Sequence, residues 1–255
     1  MKNIRVIFIS GGAREKTLEY LLQNSINVVA VVTPYISEKN DRFSGVLDVA
    51  KLYGIAIYQV TRESIVETVN SINADVLLSC GFSFTIPDAV IDHFEHSINV
   101  HPTLLPRYRG YRSGPYILIN GENESGVTVH KLSSELDKGD ILHQKSFPVS
   151  IFDTPKSMKR KTDECERETV LEALQLIEND NINYKKQDES LATTYNYMRT
   201  PKDSLIDCTK PLIELYNEIR ACDAEDYPAF FYIGEEKVCI KMWRDSKPDS
   251  EEDMI

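Results

Sequence analysis

The 255-residue sequence predicts a doubly wound α/β domain on a mainly parallel sheet, followed by a small α+β appendage. Two observations predict it. Short apolar, β-branched runs alternate with amphipathic helical patterns through the first two thirds of the chain, and within each run consecutive residues are apolar. A strand that is apolar on both sides must be covered on both faces, which is the condition of a sheet lying between two helical layers.

The elements follow in order. Ile4 to Ile9 is the first strand and Glu15 to Leu22 its helix; Asn27 to Val32 and Gly45 to Tyr53 repeat the unit. Ile55 to Tyr58 is a third strand, Glu63 to Ile72 a third helix, Asp75 to Ser79 a fourth strand and Ser97 to Val100 a fifth. Strands over Gly126 to Lys131 and Ile141 to Val149 precede a long helix, Lys156 to Glu178, whose apolar stripe is Val170, Leu171, Leu174 and Ile177. Polar residues from Asn179 to Glu189 read as a connection. A helix near Pro211 to Ala221 and a hairpin turning at Gly234-Glu235 complete the chain. Residues 1–185 are thus the α/β domain, 186–245 a helix–hairpin subdomain, and 246–255 an acidic tail expected to be disordered.

Composition excludes several functions. The net charge of −11 and the lack of a long basic run argue against a nucleic-acid partner; the densest cluster, Lys156 to Lys161, reads as a solvated helix start. Five cysteines, none in a CxxC pair, predict reduced thiols and no metal site. No leader and no stretch near 18 apolar residues predict a soluble cytoplasmic protein with no membrane partner. Gly11-Gly12 after the first strand lacks the further glycines of a dinucleotide fingerprint, so a nicotinamide site is not expected.

Chemistry concentrates in two blocks. In Ser97-Ile98-Asn99-Val100-His101-Pro102-Thr103-Leu104-Leu105-Pro106-Arg107-Tyr108-Arg109-Gly110 a strand ends at the carboxyl edge of the sheet, where open α/β sheets bind ligands. Asn99 and His101 leave the same face of that strand, and an amide beside an imidazole suits polarising a carbonyl and moving a proton. The second block runs from Gly126-Val127-Thr128-Val129-His130-Lys131 to Leu136-Asp137-Lys138-Gly139. His130 reads as a packed or surface histidine, as do His93, His96 and His143, and Asp-x-Gly alone is an ordinary turn.

Together, Asn99-x-His101-Pro-x-Leu-Leu-Pro-x-Tyr-Arg-Gly and Asn120-Gly121-Glu122-x₃-Gly126-Val127-Thr128-x-His130 through Asp137-x-Gly139 resemble the folate-dependent formyltransferase family, over nearly the whole chain from Ile4 to Trp243. The resemblance implies a Rossmann-like formyltransferase core and 10-formyltetrahydrofolate as co-substrate. It implies that Asn99 hydrogen-bonds the formyl oxygen, that His101 stabilises the oxyanion and helps move the proton, and that Asp137 orients His101 or takes the amine proton. It also puts the pteridine against Phe84, Thr85 and Ile86 and the loop of Ser133, Ser134, Glu135 and Leu136; Gly81 stands where related sequences often carry an aromatic residue.

The C-terminal third narrows the acceptor. Arg199-Thr200-Pro201-Lys202-Asp203 through Ile206-Asp207, with Asn217-x-Ile219-Arg220-Ala221 and Tyr227-Pro228-Ala229-Phe230, resembles a segment shared by methionyl-tRNA formyltransferases and the formyltransferases acting on a UDP-linked aminosugar. The tRNA enzymes continue into a basic β-barrel domain, whereas this sequence stops at Ile255; formyltetrahydrofolate hydrolases carry a regulatory segment before the first strand, which here begins at Ile4. The resemblance therefore implies a nucleotide-linked aminosugar of a bacterial surface glycan, such as O-antigen or lipopolysaccharide, and a homodimer. Arg107, Arg109, Tyr111 and Arg199 are the candidate substrate-binding residues, because an arginine fork suits a diphosphate.

Overall fold

The computed structural model describes residues 2–35, 42–110 and 113–255. In chain order these carry β1 (Val6–Ile9), α1 (Glu15–Gln23), β2 (Val28–Pro34), α2 (Ser44–Leu52), β3 (Ala56–Val60), α3 (Ile65–Asn70), β4 (Val76–Cys80), α4 (Asp88–Ile91) and β5 (His96–His101). After them come β6 (Arg109–Gly110), α5 (Gly114–Ile119), β7 (Glu124–Lys131), β8 (Ile141–Pro148), α6 (Pro155–Glu178), β9 (Thr194–Tyr195), α7 (Leu212–Arg220), β10 (Ala229–Ile233) and β11 (Glu236–Ile240).

Seven strands form one sheet in the order β3-β2-β1-β4-β5-β7-β8. The first five run parallel; β7 pairs antiparallel with β5, and β8 antiparallel with β7. The continuous apolar runs are explained by their two destinations. Val6 and Phe8 join a core with α1, α2 and α6, while Ile7 and Ile9 join the opposite core with α3 and α4. Each core strand therefore buries both its faces, the condition of a doubly wound fold. Helix α6 starts where a reciprocal cap stops the chain from fraying: Ser157 N donates to Thr154 Oγ1, Thr154 N donates to Ser157 Oγ, and Pro155 occupies the first turn.

One polarity break decides where chemistry sits. On β5 and β7 the residues Ile98, Val100, Val127 and Val129 enter the α1–α6 core. The alternate residues Asn99, His101, Thr128 and His130 face the other side, where Ser79 of β4 also lies buried. This polar patch lies at the carboxyl end of β4 and β5.

The C-terminal residues build a second, smaller core of Ile206, Leu215, Ile219, Cys222 and Ala229 under the β10–β11 hairpin. Tyr108, Ile117, Leu118, Val149, Met158 and Ala221 join it to the α/β domain. The connection after α6 returns to the larger domain: Lys185 bridges Ile141, and β9 pairs parallel with β6.

The tail departs from the expectation of disorder. Ile255 is buried, its amide donates to the Phe152 carbonyl at 2.9 Å, and Thr154 Oγ1 donates to the Asp253 carbonyl at 2.6 Å. Arg160 Nε donates to Asp253 Oδ2 at 2.7 Å. Acidic composition suggested a solvated tail, but Asp253 meets Arg160 of α6, Glu251 meets Arg244, and the terminal isoleucine supplies apolar burial. Deleting residues 249–255 is therefore expected to lower the unfolding free energy by about 2 kcal/mol, the value of burying one isoleucine. Urea denaturation measures it, and unchanged stability would mean the tail is undocked in solution.

Candidate active site

The site is assembled across the β5–β7 pairing, which sets Asn99 directly opposite His130 and His101 opposite Thr128. Asn99 Nδ2 lies 3.2 Å from His130 Nε2. From the end of β7 the chain loops out and returns with Asp137, whose backbone takes the left-handed conformation (φ 55°) that aspartate tolerates better than most residues. The loop can close this tightly only because residue 139 is glycine: a Cβ there would run into the Lys131 carbonyl.

Asp137 is buried, and its oxygens are met from several directions. The Gly110 amide donates to Oδ2 at 2.9 Å, His101 Nδ1 lies 3.4 Å from the same oxygen, and His130 Nε2 is 3.7 Å from Oδ1. His101 Nε2 lies 2.8 Å from the Tyr108 carbonyl and must donate to it, because a carbonyl has no hydrogen to give. Burial lowers the pKa of His130 to about 4 against the pull of Asp137, so its ring is neutral above that pH.

The loop after His101 is fixed onto β7. Leu105 N donates to Thr128 Oγ1, Thr128 Oγ1 donates to the Thr103 carbonyl, and Gln144 Nε2 donates to the Leu105 carbonyl. Gly110 (φ 99°) completes the return, with Tyr195 packed where any Cβ would sit.

A cleft of about 210 Å³ opens beside these groups, lined by Ser79, Phe82 to Ile86, Asn99, His130, Leu132 to Leu136 and Asp137. Every residue expected around the pteridine lies on it: Phe84, Thr85 and Ile86 on one wall, Ser133, Ser134, Glu135 and Leu136 on the other. Of the three expected catalytic residues, Asn99 and Asp137 line this cleft. His101 is brought to Asp137 and stands behind the carboxylate. Beside Gly81 (φ 70°), the Arg14 guanidinium comes within about 3.5 Å of where a Cβ would be. It is anchored by the buried Glu166 at 3.1 Å, which also accepts from Thr17 Oγ1 at 2.8 Å and from the Cys80 thiol at 3.4 Å. That carboxylate holds Arg14 firmly charged, and burial pushes the thiol of Cys80 up.

The substrate-binding candidates separate. Arg109 is only 2% exposed, and its guanidinium is spent on Gln187 Oε1 (2.6 and 3.0 Å) and on both carboxylate oxygens of Glu189 (2.6 and 2.9 Å). Four of its five N–H donors are thus taken inside the chain, which corrects its assignment to a diphosphate: a single N–H on Nη1 is left, too few for a bidentate phosphate fork. Gln187 in turn donates to the carbonyls of Asp137 and Gly139, both at 2.8 Å, so Arg109 braces the Asp137 loop through one intermediate side chain. Arg107 pairs with Glu122 over the ring of Tyr108. Arg199 donates to the Asp203 carbonyl at 2.7 Å and lines a cavity of about 310 Å³ with Pro115, Pro201, Ala221, Cys222 and Tyr227. Tyr111 lies outside the described residues.

Two features escaped the sequence reading. His130 was expected to be a packed or surface histidine, yet it touches Asn99 and lines the cleft; the signal was present, since Thr128 and His130 share the face opposite Val127 and Val129. Gln187 and Glu189 lie in a polar stretch read as a connection, and no local pattern announces that they hold a loop 50 residues away. Among the described residues, no group of His, Cys, Asp or Glu is arranged to hold a metal ion, and no helix is long and apolar enough to cross a membrane.

Comparison with known proteins shows the family and the fold. A family model described as formyl transferase matches residues 2–174. The chain is 31% identical over 261 residues to a methionyl-tRNA formyltransferase of Thermotoga neapolitana, a match covering 98% of this chain and 82% of that one. Among solved structures, a 4-N formyltransferase from Francisella tularensis superposes with a TM-score of 0.74 at 20% identity, covering 95% of this chain and 98% of the other. An N-formyltransferase from Helicobacter canadensis, solved with folinic acid and dTDP-3-aminofucose, gives a TM-score of 0.67 at 23% identity, covering 87% and 80%.

The brace makes a prediction that phosphate binding does not. Arg109→Leu removes the donors facing Gln187 and Glu189 and frees the Asp137 loop, so stability falls by about 2 kcal/mol and turnover falls with it. Thermal or urea unfolding alongside steady-state kinetics checks this. Unchanged stability, with only the KM of an anionic ligand raised, would return Arg109 to substrate binding.

Proposed function

Because the chain belongs to the formyl transferase family, with folate-dependent formyl transfer as its chemistry, we propose that it carries the formyl group of 10-formyltetrahydrofolate to the amine of a nucleotide-linked aminosugar. One observation carries the assignment of roles: Asn99 and Asp137 face the same cleft from β5 and from the loop after β7, with His101 directly behind the carboxylate.

A neutral amine attacks the formyl carbon, and the C=O electrons move to oxygen. An N–H of Asn99 meets the growing oxyanion; one such donor is worth roughly 3 kcal/mol of barrier. Asp137 takes the proton that the attacking nitrogen sheds, directly or through water, while His101, 3.4 Å behind it, holds the carboxylate in place. The oxyanion collapses, the bond to the folate nitrogen breaks, and that nitrogen leaves with the proton that Asp137 took. In this assignment the walls of Phe84 to Ile86 and Ser133 to Leu136 hold the pteridine.

The acceptor reading rests on charge and on the C-terminal residues. A chain of net charge −11 repels a polyanion, whereas a diphosphate needs only local cations. Arg199, beside its cavity, is the candidate for that role, with Arg107 a second. The 31% identity to a methionyl-tRNA formyltransferase favours a second reading, in which the amine belongs to charged initiator tRNA. In the proposed role the protein is a cytoplasmic homodimer serving surface-glycan synthesis, and the exposed Tyr232 and Ile233 of the hairpin suit a subunit contact.

The test is formyl transfer by the purified protein from 10-formyltetrahydrofolate to dTDP-, UDP- and GDP-linked 4-amino-4,6-dideoxyhexoses, beside charged initiator tRNA. One sugar nucleotide should outpace the tRNA, and Arg199→Ala should raise its KM about tenfold with the folate KM nearly unchanged. His101→Ala should lose more than about tenfold in kcat/KM, a barrier of roughly 1.4 kcal/mol. Transfer to tRNA at a rate rivalling every sugar nucleotide would overturn the acceptor, and a fully active His101→Ala would overturn the roles.

A further inference from the structure

His130 is buried beside the reacting groups, and the mechanism above leaves it without a task. Its Nδ1 lies 2.8 Å from the Lys131 carbonyl, which only accepts, so Nδ1 carries a hydrogen. The ring is neutral above a pH of about 4, because burial disfavours its charged form, and so Nε2 is bare. That bare nitrogen faces Asn99 Nδ2 at 3.2 Å and accepts one of its two hydrogens.

The consequence falls on Asn99. An asparagine amide has two orientations related by a flip, one presenting N–H and the other C=O. With Nδ2 toward His130, one hydrogen is held and the second is available to an oxygen in the cleft, which Asn99 lines. Flipped, Oδ1 would meet the bare Nε2, two acceptors face to face. The other groups facing His130 are Asp137, at 3.7 Å from Nε2, and the more distant His101 and Arg109. A doubly protonated ring would turn its Nε2–H to Asp137 and leave the Asn99 amide without its acceptor.

We propose that His130, as a neutral imidazole protonated on Nδ1, is a positioning residue that fixes the Asn99 amide so that an N–H, not a carbonyl, meets the formyl oxygen. The inference rests on the formyl-transfer reading, but its first test does not. In uniformly ¹⁵N-labelled wild-type protein, a long-range ¹H–¹⁵N spectrum should show His130 with protonated Nδ1 and bare Nε2 throughout pH about 5 to 8, with no titration in that window. An Nε2–H tautomer, or titration near the ordinary histidine value, overturns the proposal whatever the enzyme's activity.

The second test is kinetic. His130→Leu keeps bulk but removes the acceptor, and should lower kcat about 10- to 100-fold while the folate KM stays within about threefold. Because His130 acts through Asn99, the same change in Asn99→Ala should cost less than about twofold more. His130→Gln, whose longer side chain can carry its carbonyl oxygen to the place of Nε2, should stay within about fivefold of wild type. Full additivity in Asn99→Ala, unchanged kcat in His130→Leu, or loss of more than tenfold in a folded His130→Gln each contradicts the proposal. If His130→Leu does not fold, His130→Gln and the tautomer spectrum still decide it. A wild-type protein without formyl transfer would sink the formyl-transfer reading and leave the tautomer result standing.

Discussion

Burying a carboxylate costs several kcal/mol unless its oxygens are met by donors, and the carboxyl edge of this sheet is organised around meeting those of Asp137. The Gly110 amide donates to one oxygen, which His101 Nδ1 also faces at 3.4 Å, while the other lies 3.7 Å from the bare Nε2 of His130, which gives it no hydrogen. Each of these partners imposes a constraint elsewhere. Gly110 must be glycine because Tyr195 occupies the place of its Cβ, Gly139 must be glycine because the loop folds back onto β7, and the loop carbonyls need the Gln187 amide. Arg109 and Glu189 then fix Gln187, so a strap from the segment after α6 holds the loop that carries Asp137.

The fold was legible because its signal is local and repeated. Each apolar run, such as Val6 to Ile9, must send alternate residues to two different cores, and only a sheet covered on both faces provides both. Asn99 and His101 were legible for a related reason: the period of two on β5 puts them on the face that Ile98 and Val100 leave free. His130 follows the same rule on β7, but its partner is on another strand, and the antiparallel register that sets it against Asn99 is not written in either segment alone. The role of Arg109 was misread because an arginine after a catalytic strand looks the same whether it faces a phosphate or a distant glutamate. The tail was misread because composition reports its charge and not the basic face of α6 that receives it.

The two flanks of the reacting groups differ in how far the chain's own residues specify them. The cleft beside Asn99 and Asp137 is walled by two short segments, residues 82–86 and 132–136, the second running directly into Asp137. The cavity beside Arg199 is instead built from α5, the Arg199 segment and the end of α7, brought together by the packing of the appendage on the main domain. In the proposed function the first holds the folate and the second the acceptor, so specificity for the amine would rest on tertiary packing rather than on one local segment.

Asp137, which lines the cleft with His101 behind it, is the proposed base that takes the amine proton. Asp137→Asn tests it most directly, since asparagine fills the same space, tolerates the left-handed backbone and has lost the basic oxygen. Single-turnover formyl transfer should fall by about 10²–10⁴, while the dissociation constant of the folate, measured by its fluorescence on the same protein, stays within about threefold. A folded Asp137→Asn protein transferring formyl within about tenfold of the wild-type rate would contradict the account.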